Sequence, residues 1–284
     1  MSNTTLASDR AYQFSEDDFQ RVAHTAKTII GLHLEPSKKA LIQARLAKRL
    51  RITKAATVVD YCALVQSSKS GERDQFISAL TTNVTHFFRE RHHFDYLERD
   101  ILPPLLESAK AGRRVRIWSA GCSTGQEAYS IAATILQLVP NAETYDVKVL
   151  ASDIDETALQ VAKSGIYTVD ECRFDDLKDT RKVFPPTSSS STRRSIREDV
   201  KRLVTFERVN LFDSWPNVGS FDVIFCRNVA IYFDRRSQSQ LWLRFVERLT
   251  QGGCLFIGHS ERIHGPAERR LRAFGITAYR MHSQ

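Results

Sequence analysis

A strand-like run from Val115 to Ala120 leads into Gly121-Cys122-Ser123-Thr124-Gly125, then a helical stretch, then a second strand ending at Asp153. These residue types at this spacing suit a nucleoside-containing cofactor. Glycine at the turn lets the backbone approach a ligand closely. An acidic side chain at the end of the second strand can accept a hydrogen bond from each of two ribose hydroxyls. The loop is not Gly-x-Gly-x-x-Gly, and no Gly-Lys-Ser/Thr follows it, so neither a dinucleotide fingerprint nor a P-loop is present. Glu127 opens the helix just after the glycine turn. An anion there disfavours a phosphate and favours a cation, which directs the reading to S-adenosylmethionine with its positive sulfonium and ammonium groups. A plain glycine turn followed by a helix-start glutamate, favoured by the helix dipole, stays open at this level.

Those residues need a scaffold, and the flanking pattern supplies one. Helical spacing is expected over Gln126 to Leu138, Glu156 to Lys163 and Arg236 to Leu249. Strands are expected at Val147 to Ser152, Phe221 to Cys226 and Cys254 to Ile257. Strands alternating with helices imply an α/β fold, a parallel sheet with helices on both faces and the ligand at the carboxyl ends of the strands. Upstream, nothing alternates like a strand. Ser15 with Asp18 predicts a capping box, and Phe19, Val22, Ala23, Ala26, Ile29 and Ile30 recur at helical spacing up to Gly31. Further helices are expected over Ser37 to Arg51, around Val58 to Val65, and near Asp74 to Leu80. The expectation is a helical domain over 10–80 and a cofactor-binding domain over 81–284. Residues 172–205, with the serine-rich run Pro185 to Ser195, read as an insertion carrying a small antiparallel element.

The chain has 284 residues, 42% of them hydrophobic and 26% charged, which is ordinary for a globular protein of about two domains. No apolar run approaches ~18 residues, so a membrane span is excluded, and the first residues lack the pattern of a secretory signal. A formal net charge of +8 favours acidic partners without choosing among nucleic acid, anionic lipid and an acidic protein surface. The five cysteines are scattered and form no Cys-x-x-Cys pair, so they read as small buried hydrophobes in a reducing cytoplasm. His92 and His93 are adjacent on a helix and should diverge by ~100°, so no metal site is expected.

Five stretches occurring in order resemble the chemotaxis receptor methyltransferases, the CheR family. They are Thr81-Thr-Asn-Val-Thr-His-Phe-Phe-Arg-Glu90, Ile117 to Ser130, Ala151-Ser-Asp-Ile-Asp155, Phe221 to Asp234, and Gly258-His-Ser-Glu261. The resemblance implies a small helical domain followed by a Rossmann-like S-adenosylmethionine-dependent methyltransferase domain with an inserted antiparallel β-subdomain. It implies cofactor contacts at Asn83, Thr85, Arg89, Glu127, Asp153, Asn210, Leu211, Arg227 and Asn228. Arg89 would pair with the methionine carboxylate, and Asn210-Leu211 would lie beside the adenine. Gln126, Ala128 and Ala230 depart from the commonest family pattern, which bears on cofactor affinity and pocket width.

The resemblance also implies the acceptor, glutamate side chains on the cytoplasmic helices of chemoreceptors, with S-adenosylhomocysteine as the other product. A glutamate with pKa ~4.3 is already ionised at neutral pH and needs no general base. No catalytic dyad is therefore expected, and Arg227 and Tyr232 are the candidate positioners of the acceptor. Residues 36 to 54 hold seven basic and no acidic side chains. Lys38, Arg45 and Arg49 fall within ~40° on a helical wheel. This basic helix, 37–51, is expected to recruit the glutamate-rich receptor helix. In some family members the β-subdomain grips a peptide at the receptor C-terminus, a form the serine-rich tip does not clearly match. Two other readings compete. A nucleic-acid methyltransferase would explain the charge, but Asn228 is not followed by Pro-Pro-aromatic. A non-catalytic S-adenosylmethionine-sensing module would keep the fold without the chemistry. The expected location is the cytoplasm, with no membrane insertion.

Overall fold

The structure is a computed structural model that describes residues 14–67, 71–172, 177–186, 192–215 and 219–282. It divides into two compact units, Met1–Leu80 and Thr81–Gln284.

The first unit is helical: α1 (Glu16–Ile30), α2 (Lys39–Thr53), α3 (Val58–Gln66) and α4 (Glu72–Leu80). The Ser15–Asp18 capping box forms as expected, and Gly31 closes α1 in the left-handed region at φ 71°. Phe19, Val22 and Ala26 of α1, Ile42 and Leu46 of α2, Tyr61 and Val65 of α3, and Phe76 and Ile77 of α4 make its core. One expectation about α2 needs correction. Arg49 does not lie on a free basic face: its guanidinium donates to the buried Glu72 carboxylate, which also accepts a hydrogen bond from Tyr61 Oη at 2.9 Å. Arg45 Nη1 donates to the Leu80 carbonyl at 3.0 Å. A helical wheel gives direction about the helix axis and not which side meets α4. The basic side chains that stay exposed are Lys38, Lys48, Arg51 and Lys54, beside the exposed Leu41 and Ile52.

The second unit is the expected α/β fold. Its strands are β1 (Val115–Ala120), β2 (Val147–Asp153), β3 (Ile166–Thr168), β4 (Arg193–Ser195), β5 (Val204–Arg208), β6 (Phe221–Cys226), β7 (Leu249–Ile257), β8 (Leu271–Gly275) and β9 (Ala278–Met281). Its α-helices are α5 (His92–Tyr96), α6 (Leu102–Lys110), α7 (Gln126–Leu138), α8 (Glu156–Ser164), α9 (Leu177–Val183), α10 (Glu198–Arg202) and α11 (Arg235–Arg248). The seven-stranded sheet runs β5-β2-β1-β6-β7-β9-β8 and is parallel up to β7; β9 and β8 are antiparallel. Alternate residues on each central strand feed opposite cores. Ile117, Val149, Phe225 and Phe256 face one side with Phe94, Leu106 and Ile131. Trp118, Ile224 and Leu255 face the other with Leu241, Trp242 and Phe245 of α11. Burial on both faces is why these strands read as near-continuous apolar runs.

The order reverses at β1, which pairs with β2 on one side and β6 on the other. That switch point opens a crevice at the carboxyl ends of β1 and β6. The small antiparallel element is β3 paired with β4, so its first strand precedes residue 172. Val204–Arg208 belongs to the main sheet as its edge strand rather than to the insertion. The tip at 187–191 and the residues before 14 lie outside the described residues. The β8–β9 hairpin was not legible as strands: it is short and turns at Ile276-Thr277, and Thr277 takes φ 48° without a glycine.

Candidate active site

The loop after β1 is shaped by two glycines that have no substitute. Gly121 (φ 84°) faces Val229, and a Cβ there would sit 2.3 Å from Val229 Cγ2. Gly125 (φ 97°) faces Ala162, with a would-be Cβ contact of 2.8 Å. The backbone N–H groups of Gly121 and Cys122 donate to the Ser152 carbonyl at 2.8 and 2.9 Å, which ties the loop to the end of β2. Asp153, where β2 ends, accepts from Ser123 N at 2.8 Å on Oδ2 and from Asp155 N at 3.0 Å on Oδ1. Burial raises the Asp153 pKa, and these N–H donors oppose the shift.

Asp155, two residues beyond Asp153, ties three segments together. Its Oδ1 caps α8 through Thr157 N and Ala158 N. Its Oδ2 accepts from Thr81 Oγ1 at 2.8 Å and Asn83 Nδ2 at 2.7 Å. Ser123 Oγ in turn donates to Asn83 Oδ1 at 3.1 Å. Asn83 therefore locks the 81–90 segment onto both the glycine loop and the end of β2. Thr85 is half-buried on that segment, and Arg89 Nη1 donates to the Val84 carbonyl at 3.1 Å.

Glu127 lies at the start of α7 with its carboxylate turned into the crevice. Oε1 accepts from Ser119 Oγ at 2.6 Å, and Oε2 pairs with Arg227 Nη1 at 3.2 Å. Burial raises its pKa, opposed first by the Arg227 charge and then by the Ser119 hydroxyl. The Arg227 side chain is 2% exposed. Its Nη2 lies 3.5 Å from Glu90 Oε2 and donates to the Arg89 carbonyl. Arg227 is thus the hub joining the end of β6, the start of α7 and the 81–90 segment.

Beyond Arg227 the chain turns through Asn228, which takes φ 59°. The following residues are pinned by one side chain, Glu261, 4% exposed. Its Oε2 accepts from Gly258 N at 2.6 Å and Asn228 N at 3.0 Å. Its Oε1 accepts from Val229 N at 3.0 Å and Ile231 N at 3.3 Å. Tyr232 is half-buried at the end of this loop.

Asn210 and Leu211 follow β5, where Val209 N donates to the Asp153 carbonyl at 3.0 Å. Asn210 Nδ2 donates to Asp213 Oδ2 at 2.8 Å, and its Oδ1 accepts from Phe212 N at 3.0 Å. The Leu211 carbonyl accepts from Arg244 Nη1 at 2.9 Å. Of the predicted residues, Asn83, Arg89, Glu127, Asp153, Arg227 and Asn228 are interlinked around the crevice, Thr85 lies on the 81–90 segment outside that network, and Asn210-Leu211 forms a separate turn beside the end of β2.

His92 and His93 do not diverge as expected. Their ring centroids are 4.2 Å apart, and with Glu90 they bring potential ligand atoms within 4.8 Å of one another. Glu90 takes φ 56°, a left-handed turn that swings its carboxylate back over the helix start. Its Oε2 lies 3.5 Å from Arg227 Nη2, and its Oε1 lies 3.1 Å from His259 Nδ1. His93 is neutral, its pKa lowered to about 3 by burial and then by the neighbouring Arg227.

The crevice is chemically suited to S-adenosylmethionine. It offers a buried carboxylate for a cationic amine and a strand-end aspartate for a ribose. Two of its polar atoms, Arg227 Nε and Asn228 Oδ1, are buried without a hydrogen-bond partner. The Cys122 and Cys226 thiols are pushed up by burial and are not nucleophiles. Comparison with known proteins agrees. The family profile "CheR methyltransferase, SAM binding domain" matches residues 83–279, and "CheR methyltransferase, all-alpha domain" matches residues 17–81. A Rhizobium etli protein named "Probable chemotaxis protein methyltransferase" is 46% identical over 88% of this chain and 94% of its own length. "Chemotaxis protein methyltransferase 2" of Pseudomonas aeruginosa is 36% identical over 95% of each chain. "Chemotaxis protein methyltransferase" of Escherichia coli is 37% identical over 93% of this chain and 91% of its own length. With both halves matched and the crevice built for the cofactor, the chain belongs to the CheR family of S-adenosylmethionine-dependent methyltransferases.

Proposed function

We propose that this protein transfers a methyl group to glutamate side-chain carboxylates on the cytoplasmic helices of chemoreceptors, forming glutamyl methyl esters. The observation that carries this reading is the Glu127–Arg227 pair, 3.2 Å apart at the switch point, with the Arg227 side chain 2% exposed. When bound, S-adenosylmethionine supplies an electrophilic methyl group on a sulfonium and leaves as S-adenosylhomocysteine. Glu127 holds the amino group, Arg89 the carboxylate, Asp153 the ribose hydroxyls and Asn210-Leu211 the adenine. Asn83, Thr85 and Asn228 complete the wall. An acceptor glutamate is ionised at neutral pH and needs no proton removed, so the site has only to orient it and exclude water. Both Nη atoms of Arg227 are committed to protein partners. Arg227 therefore organises the pocket, which leaves Tyr232 as the candidate positioner of the acceptor.

In the first unit, the exposed face of α2 carries Leu41, Lys48, Arg51 and Ile52 at helical spacing. A basic face interleaved with apolar side chains fits an acidic amphipathic receptor helix. A receptor C-terminal peptide added to β3–β4 would be a second contact. No described helix is long and apolar enough to cross a membrane, and the reaction proposed here belongs to the cytoplasm, where the receptor helices lie.

The test is incubation with methyl-labelled S-adenosylmethionine and a receptor cytoplasmic fragment, with DNA and RNA in parallel. Label on the fragment alone is expected. Label on nucleic acid, or cofactor binding without transfer to any of the three, contradicts the proposal.

A further inference from the structure

We propose that Glu261 is the positioning residue of the loop between β6 and α11, acting through Arg227 and Asn228. A glutamate that is 4% exposed normally has a cationic partner. The partners found here are backbone N–H groups, two on each carboxylate oxygen, from Gly258, Asn228, Val229 and Ile231. Three of those donors lie in one stretch between β6 and α11, and the fourth closes β7. The carboxylate thereby gathers the ends of two adjacent parallel strands around one anion. Hydrogen bonds to an ionised acceptor are about twice as strong as neutral ones. The bond from Asn228 N, with those from Val229 and Ile231 just after it, holds Asn228 in the left-handed region, a conformation that costs an L-residue free energy.

The consequence reaches the crevice. Asn228 adjoins Arg227, whose guanidinium meets Glu127 and Glu90. The other face of the same loop fills the space over Gly121 through Val229. Gly258 lies so close to Asn228 that a Cβ there would be 2.6 Å from Asn228 Nδ2, so the loop has no slack on that side. Loss of the clamp would release Arg227 and the Val229 wall together. Neutral isosteric replacement is enough to do this. An amide offers one oxygen, so Glu261→Gln turns two accepted hydrogen bonds into donors facing donors.

The experiment measures S-adenosylhomocysteine affinity by calorimetry and the methyl-transfer rate for Glu261→Gln, Glu261→Asp, Arg227→Ala and Glu261→Gln/Arg227→Ala, with far-UV spectra and Tm for each. The rate arm rests on the proposed receptor substrate and the affinity arm does not, so failure of one reading is distinguishable from failure of the other. For Glu261→Gln, kcat is expected to fall about 100-fold, the loss that a displacement of about 1 Å produces. Glu261→Asp, which keeps the charge and all acceptor lone pairs, is expected to retain more of the rate than Glu261→Gln. Because Glu261 acts through Arg227, the double variant should be little worse than Arg227→Ala alone. A folded Glu261→Gln with kcat and affinity within about 3-fold of wild type overturns the proposal, as does full additivity with Arg227→Ala. If Glu261→Gln does not fold, Glu261→Asp alone and combined with Arg227→Ala decides: any loss in the single variant should vanish on the Arg227→Ala background, and full additivity overturns the proposal.

Discussion

Arg227 Nη1 and Glu127 Oε2 lie 3.2 Å apart across 100 residues of chain, and the pair joins the loop after β6 to the first turn of α7 at the sheet's switch point. Neither charge has an independent reason to be buried. Removing the guanidinium takes the arginine charge away from two carboxylates, Glu127 and Glu90, and leaves them Ser119 Oγ and His259 Nδ1 as side-chain hydrogen-bond partners. Arg227→Ala is therefore expected to cost about 3 kcal/mol of stability and to weaken S-adenosylhomocysteine binding, measured by denaturant titration and calorimetry. Unchanged stability would mean that the two carboxylates are solvated in another way.

Acid should weaken cofactor binding earlier than an ordinary carboxylate would. Burial raises the folded-state pKa of both Glu127 and Asp153. The proton is thus bound more tightly in the folded chain than in the unfolded one. The contribution of each group to folding is fully present below its unfolded pKa and is lost as pH rises through its folded pKa. Cofactor binding runs the other way, because a cationic amine pairs only with ionised Glu127. Affinity should decline as pH falls through a window above the ordinary glutamate value of 4.5. Glu127→Gln should bind more weakly at pH 7 and lose its share of the pH dependence. Equal slopes in wild type and variant would contradict the pairing.

Two glycines, Gly112 between α6 and β1 and Gly121 after β1, separate strain from collision. Gly112→Ala places a methyl group at φ 85° into open space and should cost about 1 kcal/mol. Gly121→Ala adds overlap with Val229 at nearly the same φ, 84°, and should cost about 3 kcal/mol. It should also abolish cofactor binding, whereas Gly112→Ala should leave binding intact. Thermal unfolding and calorimetry on the pair decide the matter.

These positions were legible in the sequence because each is a local requirement: a turn that only glycine satisfies, a strand that ends on an acid. Asp155 and Glu261 were not assigned roles because their partners are remote. Asp155 holds side chains more than 70 residues away, and Glu261 holds backbone N–H groups about 30 residues away. Neither relationship leaves a periodic trace. Arg45 and Arg49 were misread for the opposite reason. They do share a helix face, but that face is turned to Glu72 and the Leu80 carbonyl.

The basic helix therefore predicts two different outcomes. Glu72→Ala should destabilise the first unit by about 3 kcal/mol by leaving Arg49 unpaired, with cofactor affinity unchanged. Lys48→Glu/Arg51→Glu, on the exposed face, should leave Tm unchanged and slow receptor methylation about 10-fold at low salt. The difference should shrink at high ionic strength. Salt-independent slowing would argue against electrostatic recruitment.

His93 should stay neutral throughout the working range. Its pKa of about 3 follows from burial and the adjacent Arg227, and its Nε2 lies 3.1 Å from the Ile276 carbonyl. The folded pKa is depressed, so its contribution to stability is present above pH 6.5 and is lost as pH falls toward 3. Ring chemical shifts for His93 should show no protonation between about pH 8 and 5. A midpoint near 6.5 would show that the ring is solvated.

The nature of the bond formed tests the whole account most directly. After transfer of labelled methyl groups to a receptor cytoplasmic fragment, the label should be released as methanol by mild alkali, and peptide mapping should place it on glutamate side chains. Label that survives alkali, or that maps to a residue other than glutamate, would contradict a site built to use an acceptor that arrives already ionised.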